Sequence, residues 1–178
     1  FDANAQKERA VKIYERANDA VVRILTYQKD GSMRGQGSGV IIKDKGWVIT
    51  NYHVIGDANS LFAEHKGKTF KLDSVIVIDR QRDIMVLRLS SAEDKSTLKT
   101  IPEIKLGNSD KLKVGQRVYA IGSPMGFENT LTEGIISGKR FSDDSTRWIM
   151  QISAPLSSGS SGGAILNSKG ELIGISTM

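Results

Sequence analysis

The sequence predicts an all-β chain: two six-stranded-type antiparallel barrels behind one N-terminal helix, with the last strand of the second barrel lacking. Three observations lead there. Short apolar runs recur along almost the whole chain, separated by turns rich in Gly, Asn and Asp, as in sandwiches and barrels. A polar stretch without periodicity, Ser90–Thr100, divides six runs from five. Only the first twenty residues carry helical spacing instead.

In residues 2–20, DANAQKERAVKIYERANDA, the positions Val11, Tyr14, Ala17 and Val21 fall on one helical face, and Asp2 or Asn4 can cap the start. Six strand candidates follow: AVVRILTYQ, QGSGVIIK, GWVIT, SLFAEH, KTFKLDSVIVID and DIMVLRL. Beyond the polar stretch come QRVYAIGS, NTLTEGIISGKR, RWIMQIS, GAILN and ELIGIST. The expected division is a helix at 1–20, a first barrel at 21–95 and a second at 96–178.

Hydrophobic residues make up 39% of the 178, enough for one sizeable core or two small ones packed together. There is no Cys, so the fold depends on no disulfide and offers no thiolate metal site. The net charge of +5 comes from scattered Lys and Arg, and aromatics are only 6%; a nucleic-acid surface clusters the former and needs the latter. No apolar run approaches the ~20 residues that span a bilayer. The two His, at 53 and 65, offer no metal-ligand spacing. No cofactor, metal or nucleic acid is expected.

The stretch SSGSSGGAIL, 157–166, packs four Ser and three Gly directly ahead of a strand. Glycines there let backbone N–H groups turn toward one point, and a Ser so placed can act as a nucleophile if a base activates it. His53 follows the apolar strand of GWVITNYHVIG, where it either packs at a strand end or serves as that base. His65, in FAEHKGKTF, reads as a solvated turn residue. Asp83 stands at the mouth of the apolar strand IMVLRL and must find a donor. Either a His N–H or the neighbouring Arg80 and Arg82 would provide one.

Four segments resemble the trypsin-like serine proteases of the HtrA/Deg kind, and together they cover about residues 20–178. GSGVIIKDKGWVITNYHVI (37–55) contains the Thr-Asn-x-His-Val box. DIMVLRL (83–89) resembles the Asp strand. GNSDKLKVGQRVYAIGSPMGFENTLTEGIISG (107–138) resembles the entry to the second barrel. GSSGGAILNSKGELIGIST (159–177) resembles the nucleophile box and the strands after it. The resemblance implies the chymotrypsin fold and a serine endopeptidase acting on unfolded or damaged protein. His53, Asp83 and Ser161 match the triad, in the chymotrypsin chain order. Gly159 and Ser161 match the oxyanion-hole donors, and Gly162 and Gly163 the tight backbone after them. Ser157, Ser158 and Ser160 are loop residues in that scheme. Leu156, Ser176 and Met178 match S1-lining positions, and Ser176 also matches a hydroxyl that bonds the triad Asp. No acid lies near Leu156, so a small or medium apolar P1 residue is expected.

The resemblance also implies polypeptide partners, allows a homo-oligomer (a trimer as in relatives), and points to an extracytoplasmic site such as the bacterial periplasm. The sequence departs from the family at Ser160, where Asn or Asp is usual, and at Pro155, where Ala is usual. The sequence stops at Met178, ahead of the sixth strand and closing helix that the resemblance implies, so a fragment of a longer chain is expected, with a PDZ domain left open; the 28–36 loop is short. A catalytically silent or resting-state peptide-binding module on the same fold is the competing reading.

Overall fold

The structure, a computed structural model, describes residues 3–90, 98–123, 129–142 and 147–178. All eleven predicted strands are present in it. Helix α1 (Ala3–Ala17) passes through a 3-10 turn (Asn18–Ala20) into β1 (Val21–Tyr27). There follow β2 (Met33–Ile42), β3 (Trp47–Thr50), the single helical turn α2 (Tyr52–Ile55), β4 (Ser60–His65), β5 (Lys68–Asp79) and β6 (Ile84–Leu89). The remaining strands are β7 (Arg117–Gly122), β8 (Thr130–Phe141), β9 (Trp148–Ile152), β10 (Ala164–Asn167) and β11 (Leu172–Ile175). The first six strands close into an antiparallel barrel in the order β1-β2-β3-β6-β5-β4. The other five form a curled sheet in the order β11-β10-β7-β8-β9. The expected boundary at residue 95 lies outside the described residues.

Side chains alternate between two cores, as the two-residue period of a strand requires. On β7, Tyr119 and Ile121 join the barrel core of Ile24, Val40, Val48 and Leu87, while Val118 and Ala120 face a second cluster with Ile136, Ile165 and Ile173. The larger core therefore runs from the barrel into the second sheet. Helix α1 covers one side of it through Ala10, Ile13, Tyr14 and Ala17, the i, i+3, i+4, i+7 positions. This corrects the predicted face by one position: Val11 is half exposed, and Val21 already belongs to β1. Among the described residues no helix is long and apolar enough to cross a membrane.

Candidate active site

Strand register brings His53 and Asp83 together. Antiparallel pairing of β3 with β6 sets Thr50 opposite Met85, so the residues leaving β3 meet those entering β6. The meeting is tied by the backbone. The Asp83 carbonyl accepts from Tyr52 N–H at 3.2 Å and from the Asn51 amide at 3.0 Å. Asp83 is held at φ 55°, a left-handed conformation that Asp tolerates better than most residues but adopts only under constraint. Its carboxylate then points back at α2: Oδ1 accepts the His53 backbone N–H at 2.9 Å, and Oδ2 lies 2.7 Å from His53 Nδ1. With a carboxylate as acceptor, the proton sits on Nδ1 and leaves Nε2 as the basic nitrogen. The Asp83 side chain is 16% exposed and that of His53 45%, so the imidazole faces the open side of the pair.

The arginine alternative for Asp83 is resolved in favour of His53. Arg82 is engaged by Asp79, at 2.8 Å through its guanidinium and 2.8 Å through its backbone N–H. Arg80 stacks on Tyr52.

Ser161 lies on the loop before β10, which packs against the barrel. The Ser157–Ser160 segment is a tight turn: Ser160 N–H donates to Ser157 O at 2.9 Å, and Ser157 N–H donates to Ser160 Oγ at 3.3 Å. Gly159 takes the third position of that turn at φ 91°, where a side chain would be strained. The unusual Ser160 therefore braces the loop. Gly162, at φ 90°, is the second place that demands glycine, because a Cβ there would lie 1.9 Å from the Ser38 carbonyl oxygen. Among the described residues, neither Gly159 N–H nor Ser161 N–H donates to a backbone acceptor.

Ser38, to which the sequence reading gave no role, fastens this loop to the barrel. Its Oγ donates to Gly159 O at 2.7 Å and accepts Ser123 N–H at 2.8 Å. Its backbone N–H donates to Ser161 O at 2.7 Å, and its carbonyl accepts from Thr50 Oγ1 at 2.7 Å. The available signal was a Ser between two glycines directly ahead of the apolar end of β2, Val40-Ile41-Ile42. Asn51 was likewise missed; it is buried beside α2.

Ser161 does not hydrogen-bond His53 among the described residues. Its Oγ accepts Met178 N–H at 3.2 Å. Met178 thus meets Ser161 through its backbone, and its side chain is largely exposed. Leu156 and Ser176 line a cavity with Gly122, Thr130, Thr132 and Pro155. Its volume is about 20 Å³, room for roughly one water. Ser176 does not bond Asp83, contrary to expectation. Its Oγ donates to Ser160 O at 2.6 Å and to Gly163 O at 3.3 Å. The hydroxyl on Asp83 is that of Thr177, 3.2 Å from Oδ2. His65 is not solvated either: it is 8% exposed at the end of β4. Burial lowers its pKa, Asp19 acts the other way, and Lys66 adds to the lowering.

A half-buried carboxylate fixing an imidazole and a Ser on a glycine-bounded loop are the parts of a nucleophilic acyl-transfer site. The profile of the trypsin-like peptidase domain matches residues 37–175, most of the chain. The chain belongs to the trypsin-like peptidase family. Its relatives within the family are HtrA/Deg serine proteases. It is 36% identical over 143 residues to a probable periplasmic serine endoprotease, DegP-like, of Pseudomonas putida; the match covers 79% of this chain and 28% of that protein. It is 39% identical over 150 residues to Protease Do-like 1, chloroplastic, of Arabidopsis thaliana, covering 81% and 33%. Among solved structures, the HtrA-type protease AlgW with a tripeptide superposes with a TM-score of 0.79 at 29% identity, covering 93% of this chain and 53% of that one. The serine endoprotease from Yersinia pestis gives 0.75 at 32%, covering 95% and 57%. The chain thus spans about a third of these curated relatives and about half of the solved chains. The trypsin-like architecture of a barrel, a second curled sheet and an N-terminal helix agrees with the fold expected from sequence.

Proposed function

We propose that this trypsin-like domain is a serine endopeptidase that cleaves unfolded or damaged polypeptides through Ser161, His53 and Asp83. The observation that carries it is the 2.7 Å contact of His53 Nδ1 with Asp83, which leaves Nε2 as a base. In the reaction Ser161 Oγ attacks the peptide carbonyl carbon while His53 Nε2 takes its proton. The tetrahedral oxyanion is held by Gly159 and Ser161 N–H. Collapse breaks the C–N bond, and His53 returns the proton to the leaving amine. Water then repeats the sequence on the acyl-enzyme and releases the carboxylic acid. Asp83 orients the imidazole and stabilises its charged form. Among the described residues no acidic one lines the small cavity beside Leu156, which supports an uncharged, apolar P1 residue over Lys or Arg. The names of the periplasmic and chloroplastic relatives support an extracytoplasmic or organellar location.

A second reading is favoured by one contact. Met178 N–H donates to Ser161 Oγ at 3.2 Å, and among the described residues that Oγ makes no hydrogen bond to His53, which supports a silent or resting-state peptide-binding module. Labelling with a fluorophosphonate probe, followed by peptide mapping, separates the two. Label on Ser161 that is lost in His53→Ala establishes an assembled triad. Absence of label, with peptide binding retained, rules out an assembled triad and leaves the silent or resting-state module.

A further inference from the structure

Two arginines touch α2, Arg34 at the Ile55 carbonyl and Arg80 at the Tyr52 ring, and a third, Arg82, directly precedes Asp83; two of the three are neutralised. Arg34 pairs with Asp57 at 2.8 Å, and Arg82 pairs with Asp79 at 2.8 Å. Arg80 has no carboxylate partner among the described residues. The two acids nearest to it in sequence are already engaged: Asp79 by Arg82, Asp83 by His53 and Thr177. Arg80 is also held in place. Its guanidinium carbon sits 5.1 Å from the centre of the Tyr52 ring, a cation–π contact. Tyr52 is half-buried, packs on the barrel core and directly precedes His53. The Arg80 carbonyl accepts Asp83 N–H at 3.3 Å, so the same turn sets Arg80 and Asp83. The result is an exposed, oriented and uncompensated positive charge at the rim of the His53–Asp83 pair.

We propose that Arg80 is a specificity-determining residue, selecting peptide substrates that carry Asp or Glu a few residues from the scissile bond, where the chain crosses Tyr52. This rests on the protease reading above. A guanidinium already oriented by an aromatic face loses less freedom on pairing with a carboxylate than a free one. The pair stays exposed to water, so the preference is modest and sensitive to salt.

The test uses quenched-fluorescent peptides with a common apolar P1 residue and Glu, Gln or Lys placed in turn at each nearby position. At one position the wild-type kcat/KM should favour Glu over Gln by about three- to fivefold in low salt. That ratio should shrink toward one in about 0.5 M salt and in Arg80→Gln. Arg80→Glu should favour Lys over Glu, a reversal that a merely structural role for Arg80 would not produce. A Glu/Gln ratio near one at every position, or one that survives in both variants, overturns the proposal while leaving the protease reading intact. Cleavage that persists in Ser161→Ala, or no cleavage of any peptide, overturns the protease reading and this inference with it.

Discussion

The Ser38 hydroxyl donates a 2.7 Å hydrogen bond to the Gly159 carbonyl, across 121 residues of chain, and so joins the barrel wall to the turn ahead of Ser161. The same oxygen accepts Ser123 N–H, and Ser38 is fully buried. Ser38→Ala would leave a part-buried carbonyl and a buried N–H without that partner, at a cost of about 1–3 kcal/mol. Because the freed carbonyl belongs to Gly159, loosening should also reach the proposed oxyanion hole. The expected result is a lower urea midpoint together with a fall in kcat that exceeds any rise in KM. Lost stability with unchanged kcat would confine Ser38 to a structural role.

Triad variants should differ in degree. Ser161→Ala and His53→Ala should each cost on the order of 10⁶ in kcat, and the double variant little more, since the residues act as a unit. Asp83→Asn should cost about 10⁴, because an amide at that site favours the wrong tautomer of His53. Single-turnover kinetics on one peptide would check all four. Additive losses would contradict a shared proton relay.

Thr177 and Ser176 should separate cleanly. Thr177→Val removes a donor to Asp83 Oδ2 at a partly exposed site, so kcat/KM should fall severalfold with little change in stability. Ser176→Ala removes a buried donor to Ser160 O, costing about 1 kcal/mol of stability. Peptide kinetics beside thermal melts of both variants would show the crossover, and the reverse pattern would return the Asp83 contact to Ser176.

That pair also marks where the sequence stopped being informative. The strands were readable because two-residue alternation and turn residues are local signals, and His53 and Asp83 were readable as a base and a carboxylate in search of partners. Which hydroxyl reaches Asp83 depends on register, and a shift of one residue turns a side chain to the other face. Ser38 was hidden for a similar reason: nothing local shows that a hydroxyl in β2 will lie against Gly159. Helix α2 spans four residues, too short for any periodicity. His65 read as solvated because its neighbours are polar, yet the barrel closes over it while Lys66 and Gly67 make the turn.

The burial of His65 gives the domain a pH dependence of its own. Its pKa in the folded state lies below the ordinary 6.5, chiefly because burial disfavours the charged ring. Below that ordinary value the unfolded chain takes up a proton that the folded chain resists, so stability falls as pH drops. The contribution is full above 6.5 and declines as acid is added, at higher pH than the range in which carboxylates titrate. The Asp19–Lys66 ion pair at 2.6 Å ties the 3-10 turn after α1 to the β4–β5 turn beside His65, so loosening should begin there. Urea melts from pH 7.5 down to pH 5 should show a steady loss of stability in the wild type and a flatter profile in His65→Gln. Identical slopes for the two proteins would place the acid sensitivity on other groups.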